Sequence, residues 1–249
     1  MAGHSKFKNI MHRKGAQDKK RAKLFSRLIR EISVSAKLGS PDPTSNPRLR
    51  SAINNALSSN MTKDTIDKAI KKNSGQDDKN SIEEITYEGF GPSGIAIIVE
   101  SMTDNKNRSA SEIRSTFSKY NGNLGISGSV RHNFKKVGII TYAKEVTTFE
   151  NFFEFCVSLN INDVIENDNS FDVETDLEAF SQTLETLENK YSVPQFTSLE
   201  WKPLNTIEIS NQDDAKSLLI LLEKLEELDD VQNVFANFNI NETLMEKLI

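Results

Sequence analysis

The sequence is short of several things, and each shortage closes off a class of function. It holds one cysteine in 249 residues, Cys156, so no intramolecular disulfide can form and a reducing compartment is its natural setting. Cys156 lies in Phe152-Phe153-Glu154-Phe155-Cys156-Val157, where a buried small side chain is a better reading than a nucleophile. The only histidines are His4, His12 and His132. No thiolate or carboxylate stands at ligand spacing from His4 and His12, so neither a metal site nor a cofactor is expected. No run approaches the ~20 apolar residues that cross a bilayer. The opening Met1-Ala2-Gly3-His4-Ser5-Lys6 lacks the apolar segment of a secretory signal. No membrane partner is therefore expected, and the expected location is the cytoplasm.

Charge is abundant but unevenly placed. Residues 1–80 carry 18 Lys/Arg against 7 Asp/Glu, a net of +11; residues 81–249 carry 13 against 29, a net of −16. The overall net of −5 hides this division. Residues 1–30 alone hold ten basic residues and one acid, Asp18. A charge run is ordinarily just a solvated face, but one of this density at one end of an acidic chain points to nucleic acid or a ribonucleoprotein surface as the partner.

Hydrophobic spacing divides the basic segment further. Residues 1–16 read as an extended arm bearing Lys6, Lys8, His12, Arg13 and Lys14, with Phe7 its one aromatic. A helix is expected from Asp18 to Leu38, with Leu24, Phe25, Leu28, Ile29 and Ile32 on one face. At about 100° per residue, Lys20, Lys23, Arg27 and Arg30 fall on the other face, next to Lys19. Asn46-Pro47 reads as a helix cap followed by proline at the first helical position, ahead of Arg48 and Arg50. That second helix runs to about Ser58, and a third spans about Lys63 to Asn73. Together these form a basic helical domain, residues 1–80. Its twelve expected phosphate contacts are Lys6, Lys8, His12, Arg13, Lys14, Lys19, Lys20, Lys23, Arg27, Arg30, Arg48 and Arg50.

After Gly75-Gln76-Asp77-Asp78-Lys79-Asn80, a linker by composition, the pattern changes to strands and helices. Strands are expected at Ile82–Gly89, Gly94–Ser101 and Ser129–Phe134, with a helix at Arg108–Tyr120. Residues 137–204 hold 3 basic and 13 acidic residues and follow the β-α-β-β-α-β order of a ferredoxin-like fold. A strand at Thr206–Ile209, a helix at Asp213–Leu228 and a strand at Val231–Phe238 complete the chain. The fold class is thus α+β: a three-helix domain, then an α/β domain of residues 81–136 plus 205–249, with an acidic ferredoxin-like domain, 137–204, inserted into it. The junctions would be Lys135-Lys136 and Lys202-Pro203, which must lie close together.

No catalytic signature stands out, and no enzyme is expected. Gly122, Gly125 and Gly128 lie between a helix and a strand, the reverse of a phosphate-binding loop, so a tight turn or close backbone approach is the better reading. Ser127 and Ser129 have no base placed beside them in sequence. Asp229-Asp230 follows a helix, where the dipole disfavours acids; such a placement hints at a contact.

Several of these segments carry a resemblance. Met1-Ala2-Gly3-His4-Ser5-Lys6, Asn9-Ile10-Met11-His12-Arg13-Lys14, Leu28-Ile29-Arg30-Glu31-Ile32, Asn46-Pro47-Arg48-Leu49-Arg50, Asn60-Met61, Gly125 to Val130 and Leu225 to Val234 are similar to the YebC/PmpR family, whose mitochondrial relatives activate translation of cytochrome oxidase subunits. The resemblance spans essentially the whole chain. Phe7 stands where that family usually has Trp, and Arg131-His132-Asn133 where it is usually more apolar. The resemblance implies a helical domain and two α/β domains, and a non-enzymatic DNA-binding transcriptional regulator in a bacterial cytosol. The alternative it carries is a translation factor bound to ribosomal RNA that relieves stalling, for example at proline stretches. Here the ribosome would be the partner. A monomer is the expected state.

Overall fold

The computed structural model describes residues 17–72, 82–159, 161–241 and 243–245. The expected arm, residues 1–16, and the linker at Gly75–Asn80 lie outside the described residues. The chain forms two compact units. One combines the chain up to Lys23 with Asp78–Lys135 and Trp201–Ile249; the other combines Leu24–Asp77 with Lys136–Glu200.

The helical segment comprises α1 (Gln17–Leu38), α2 (Pro47–Ser58) and α3 (Lys63–Lys72). Asn46 caps α2 as its sequence predicts: its side-chain oxygen accepts from the Leu49 amide at 3.0 Å, and its amide nitrogen donates to the carbonyls of Ser35 and Ser40. Leu28, Ile32, Ala36, Leu49, Ala52, Ala56, Met61, Ile66 and Ala69 form one buried core. Leu24, expected on the buried face of α1, is instead exposed, whereas Ile32 to Ala36 are all buried. Only the later turns of α1 are covered on several sides.

The same unit contains a four-stranded sheet, in order β5-β6-β4-β7, from β4 (Phe134–Ala143), β5 (Asp163–Glu166), β6 (Ser170–Asp176) and β7 (Phe196–Pro203). Pairing of β4 with β6 and of β5 with β6 is antiparallel. With α5 (Phe149–Val157) and α6 (Leu177–Tyr191), this is the ferredoxin-like order. Its core is aromatic: Phe152 stacks on Phe171 at 5.0 Å between centroids, and Tyr142 and Tyr191 pack around them. Cys156 is fully buried there, and burial pushes its thiol up to about 11, so it is protonated and unreactive at neutral pH. Gly138 leaves room for a ring, since a Cβ there would meet Phe180 Cδ2 at 2.1 Å.

Asn55, on α2, is buried against the last strand of this sheet. Its Nδ2 donates to the Thr197 carbonyl at 2.7 Å and its Oδ1 accepts from the Thr197 amide at 2.9 Å. One side chain thereby satisfies both main-chain groups of Thr197 and pins the helical segment to β7.

The other unit is built on the sheet β3-β1-β2-β9, from β1 (Glu83–Phe90), β2 (Ala96–Thr103), β3 (Asn123–Leu124) and β9 (Val231–Ala236). Helices α4 (Lys106–Lys119) and α7 (Gln212–Glu227) pack together around Ile97, Val99, Ile113, Phe117, Leu218 and Leu221. A parallel pair, β8 (Ile207–Ile209) with β10 (Phe238–Ile240), completes it. The single strand expected over Val231–Phe238 is divided at Asn237. This residue bonds Ala96 through both Nα and Oδ1, and its carbonyl accepts from the Ile207 amide at 2.8 Å, so the chain leaves one sheet and joins the other there.

The strand expected at Ser129–Phe134 does not form. Arg131–Asn133 is a 3-10 turn, the third strand of this sheet is Asn123–Leu124, and β4 begins only at Phe134. The consecutive amides of Val130 and Arg131 both point at Glu88, whereas consecutive amides of a strand point to opposite sides. Curling also buries Val130 and Phe134 together while leaving His132 exposed.

Candidate nucleic-acid interface

The described part of the basic segment presents its cations on all three helices. Lys23 is half-buried, and its Nζ donates to the Leu228 carbonyl at 3.0 Å, at the C-terminal end of α7. A cation suits that position because the helix dipole is negative there. Arg27 and Arg30 are half-buried, and Arg50 is exposed. Arg48 is held by a bidentate pair to Glu31, Nε to Oε1 at 2.7 Å and Nη2 to Oε2 at 3.1 Å. This pair engages two of the five N–H donors of Arg48. Lys19 and Lys20 lie on the first turn of α1. Lys6, Lys8, His12, Arg13 and Lys14 fall outside the described residues.

Helices α2 and α3 are joined by Ser59–Thr62, with Asn60 in the left-handed conformation at φ 62°. The link has the length of a helix-turn-helix turn. The helix after it opens with Lys63 but has Asp64 in its first turn and carries Asp67, and Lys68 is paired to Asp64 at 2.6 Å. Acids on the leading turns of a reading helix are repelled by phosphate.

A second cluster escaped the sequence reading. Glu88 is buried on β1, and its carboxylate accepts three main-chain amides: Gly128 at 2.8 Å, Val130 at 2.8 Å and Arg131 at 2.9 Å. Arg131 Nε stands 3.7 Å away. Burial by itself would raise the pKa of Glu88; the three amides and the guanidinium outweigh it and hold the carboxyl below its ordinary value. The Gly125–Arg131 loop is thus wrapped around an anion belonging to the protein itself. The glycine spacing signalled a close approach, but its partner lies about 40 residues away in sequence. Arg131 also covers the Trp201 ring at 5.4 Å, and Trp201 Nε1 donates to Glu100 at 2.9 Å.

The hint at Asp229-Asp230 also has a physical cause. Asp230 is buried, and its Oδ2 accepts from Ser109 Oγ at 2.6 Å, Arg108 Nη2 at 2.7 Å and Thr103 Oγ1 at 2.9 Å. Burial opposes its ionisation, and these donors more than compensate, so its pKa is lowered. The Arg108 guanidinium, bonded to Asp230 and Asp104, is raised in turn. The network ties β9 to α4, a structural role. Among the described residues, no three His, Cys, Asp or Glu side chains gather as a metal site, and no helix is long and apolar enough to cross a membrane.

These features sit in a chain whose relatives are identifiable. Residues 5–76 match the TACO1/YebC protein N-terminal domain, and residues 82–238 match the TACO1/YebC second and third domain. The chain belongs to the TACO1/YebC family. It is similar to a "probable transcriptional regulatory protein" of Rickettsia canadensis, 51% identical over 243 residues, covering 97% of this chain and 96% of that one. A protein of the same description from Rickettsia bellii is 50% identical over 248 residues, covering 100% of this chain and 98% of its own. Among solved structures, a conserved hypothetical protein of Aquifex aeolicus superposes with a TM-score of 0.83 at 41% identity, over 90% of this chain and 92% of that one.

Proposed function

We propose that this chain is a non-enzymatic regulator of gene expression that binds DNA through its basic N-terminal segment. The observation that carries the reading is the division of charge, +11 over residues 1–80 against −16 over the rest. Backbone phosphates are the natural partner of cations spread over residues 1–16 and three helices, and the net negative charge of the remainder disfavours a polyanion over most of its length. The relatives described as transcriptional regulators support the same reading.

Asp64 and Asp67 on the first two turns of α3 favour a second reading. A protein whose short third helix is unsuited to a major groove is better matched to folded RNA, where shape and backbone dominate. In this reading the chain associates with the ribosome through ribosomal RNA and assists translation. Crosslinking and sequencing of the bound nucleic acid from cells distinguishes the two: promoter fragments support the first, ribosomal RNA the second.

The phosphate assignment itself is tested by salt titration. Replacing Arg27 and Arg30 together by Gln should weaken binding to all sequences alike. It should also flatten the slope of log affinity against log salt by about 0.7–0.9 for each phosphate the variant no longer neutralises. A loss confined to one base sequence would instead indicate direct base reading.

A further inference from the structure

The acidic part of the chain contains one stretch of opposite character. Residues 119–136 hold four Lys/Arg, Lys119, Arg131, Lys135 and Lys136, and no Asp or Glu; the rest of residues 81–249 holds 9 Lys/Arg against 29 Asp/Glu. At the tip of this stretch Ile126 is 81% exposed, the most exposed large apolar side chain among the described residues. A lone exposed aliphatic residue is ordinary on a protein surface. What sets Ile126 apart is the way the loop beneath it is held.

The Ser129 amide closes a turn onto the Ile126 carbonyl at 3.2 Å, and Gly128 takes the positive φ, +86°, that the turn demands. The Gly125 amide donates to the Glu88 carbonyl oxygen at 2.8 Å, and the Glu88 carboxylate takes the amides of Gly128, Val130 and Arg131. A side chain at Gly125 would meet Ser129 Oγ at 2.5 Å. Val130 and Phe134 anchor the far end in a buried cluster with Ile98 and Phe235. The loop is therefore rigid before any partner arrives, and little ordering is left to oppose binding. The rigid turn exposes an isoleucine five residues ahead of Arg131, whose side chain stays 50% exposed while it covers Trp201 and stands 3.7 Å from Glu88, so the loop presents one apolar tip with a cation near it in the chain. A nucleic acid offers the matching pair, an apolar base face between phosphates, and isoleucine is among the side chains that wedge between bases.

We propose that the Gly125–Lys135 loop is a second nucleic-acid contact, in which Ile126 wedges against an unstacked base while Arg131 and His132 meet the adjoining phosphates. This inference rests on the nucleic-acid reading above and adds a site remote in sequence from the basic helices.

The test uses the full chain with single-stranded RNA, single-stranded DNA and a matching duplex, each carrying one 2-aminopurine, whose fluorescence rises on unstacking. The wild type should raise the fluorescence and bind a single strand. Ile126→Ser should abolish that rise and, through the lost burial of the aliphatic side chain, weaken single-strand binding by ~tenfold with an unchanged salt slope. Arg131→Gln should lower the slope by about 0.7. Because Ile126 is exposed, the thermal midpoint of Ile126→Ser should match the wild type. Comparison of the RNA and DNA arms identifies which strand supplies the base. Equal binding and equal fluorescence for wild type and Ile126→Ser, with the Arg27 and Arg30 double variant still impaired, would overturn the loop contact and leave the helical one standing. Impairment of Ile126→Ser with an unimpaired helix variant would support the loop and overturn the helical reading. No binding by the wild type would overturn both.

Discussion

Glu88→Gln tests how the Gly125–Arg131 loop is held. In the wild type, Oε1 takes the Gly128 amide, and Oε2 takes the amides of Val130 and Arg131. Glutamine has the same shape but only one acceptor oxygen. With that oxygen turned to Val130 and Arg131, its NH2 faces the Gly128 N–H, donor against donor. One charge-assisted bond is lost and two become neutral, roughly halving their strength. A bond to a charged group contributes about 1.5–3 kcal/mol, so one lost and two halved should loosen the loop by about 3–6 kcal/mol. At about 1.4 kcal/mol per decade, its opening equilibrium should rise roughly 100- to 20,000-fold. Hydrogen exchange of the Gly128, Val130 and Arg131 amides measures this directly. The effect should also depend on pH. Because the folded pKa lies below the ordinary 4.5, the carboxylate's contribution is complete above about 4.5 and disappears as pH falls through the folded value. Wild-type protection should therefore decline on acidification, and the Gln variant should lack that acid limb. Unchanged exchange in Glu88→Gln, or wild-type protection insensitive to acid, would refute the reasoning.

Variants at two further positions probe other long-range polar contacts. Asn55→Ala leaves the buried amide and carbonyl of Thr197 without their partner and should cost about 2–4 kcal/mol, read as a lowered urea midpoint of the full chain. Asn55→Asp should be no better, since it sets a carboxylate against the Thr197 carbonyl. Asp230→Ala removes the acceptor that Ser109, Thr103 and Arg108 share, leaving Arg108 only Asp104, and should lower the thermal midpoint. Asp230→Asn, which keeps an acceptor, should recover part of that loss; equal midpoints for the Ala and Asn variants would argue against the network.

Local physics was readable from the chain. Asn46-Pro47 announced the start of α2, and the structure places the cap bond there. The aliphatic spacing located α1, and the β-α-β-β-α-β alternation located the ferredoxin-like sheet, because turn chemistry and burial period act over a few residues. Charge asymmetry needs no fold at all, and it carries most of the functional reading. The glycines of residues 122–128 and the acids after α7 were visible as anomalies whose partners were not.

Those partners are matters of tertiary structure. Glu88 meets Val130 across 42 residues, Asp230 meets Arg108 across 122, and Asn55 meets Thr197 across 142. No periodicity links positions so far apart; only folding brings a buried carboxylate or amide to the particular main-chain groups it satisfies. The same rule turned the expected strand at Ser129–Phe134 into a 3-10 turn, since a buried Glu88 needs two successive amides on one side. It also divided the last long strand at Asn237, which bonds to two sheets. The sequence alone determined most of the helical and strand segments and where the positive charge lies. The tertiary structure decided which polar groups are buried together, because an unpaired buried donor or acceptor costs as much as the local preferences it overrides.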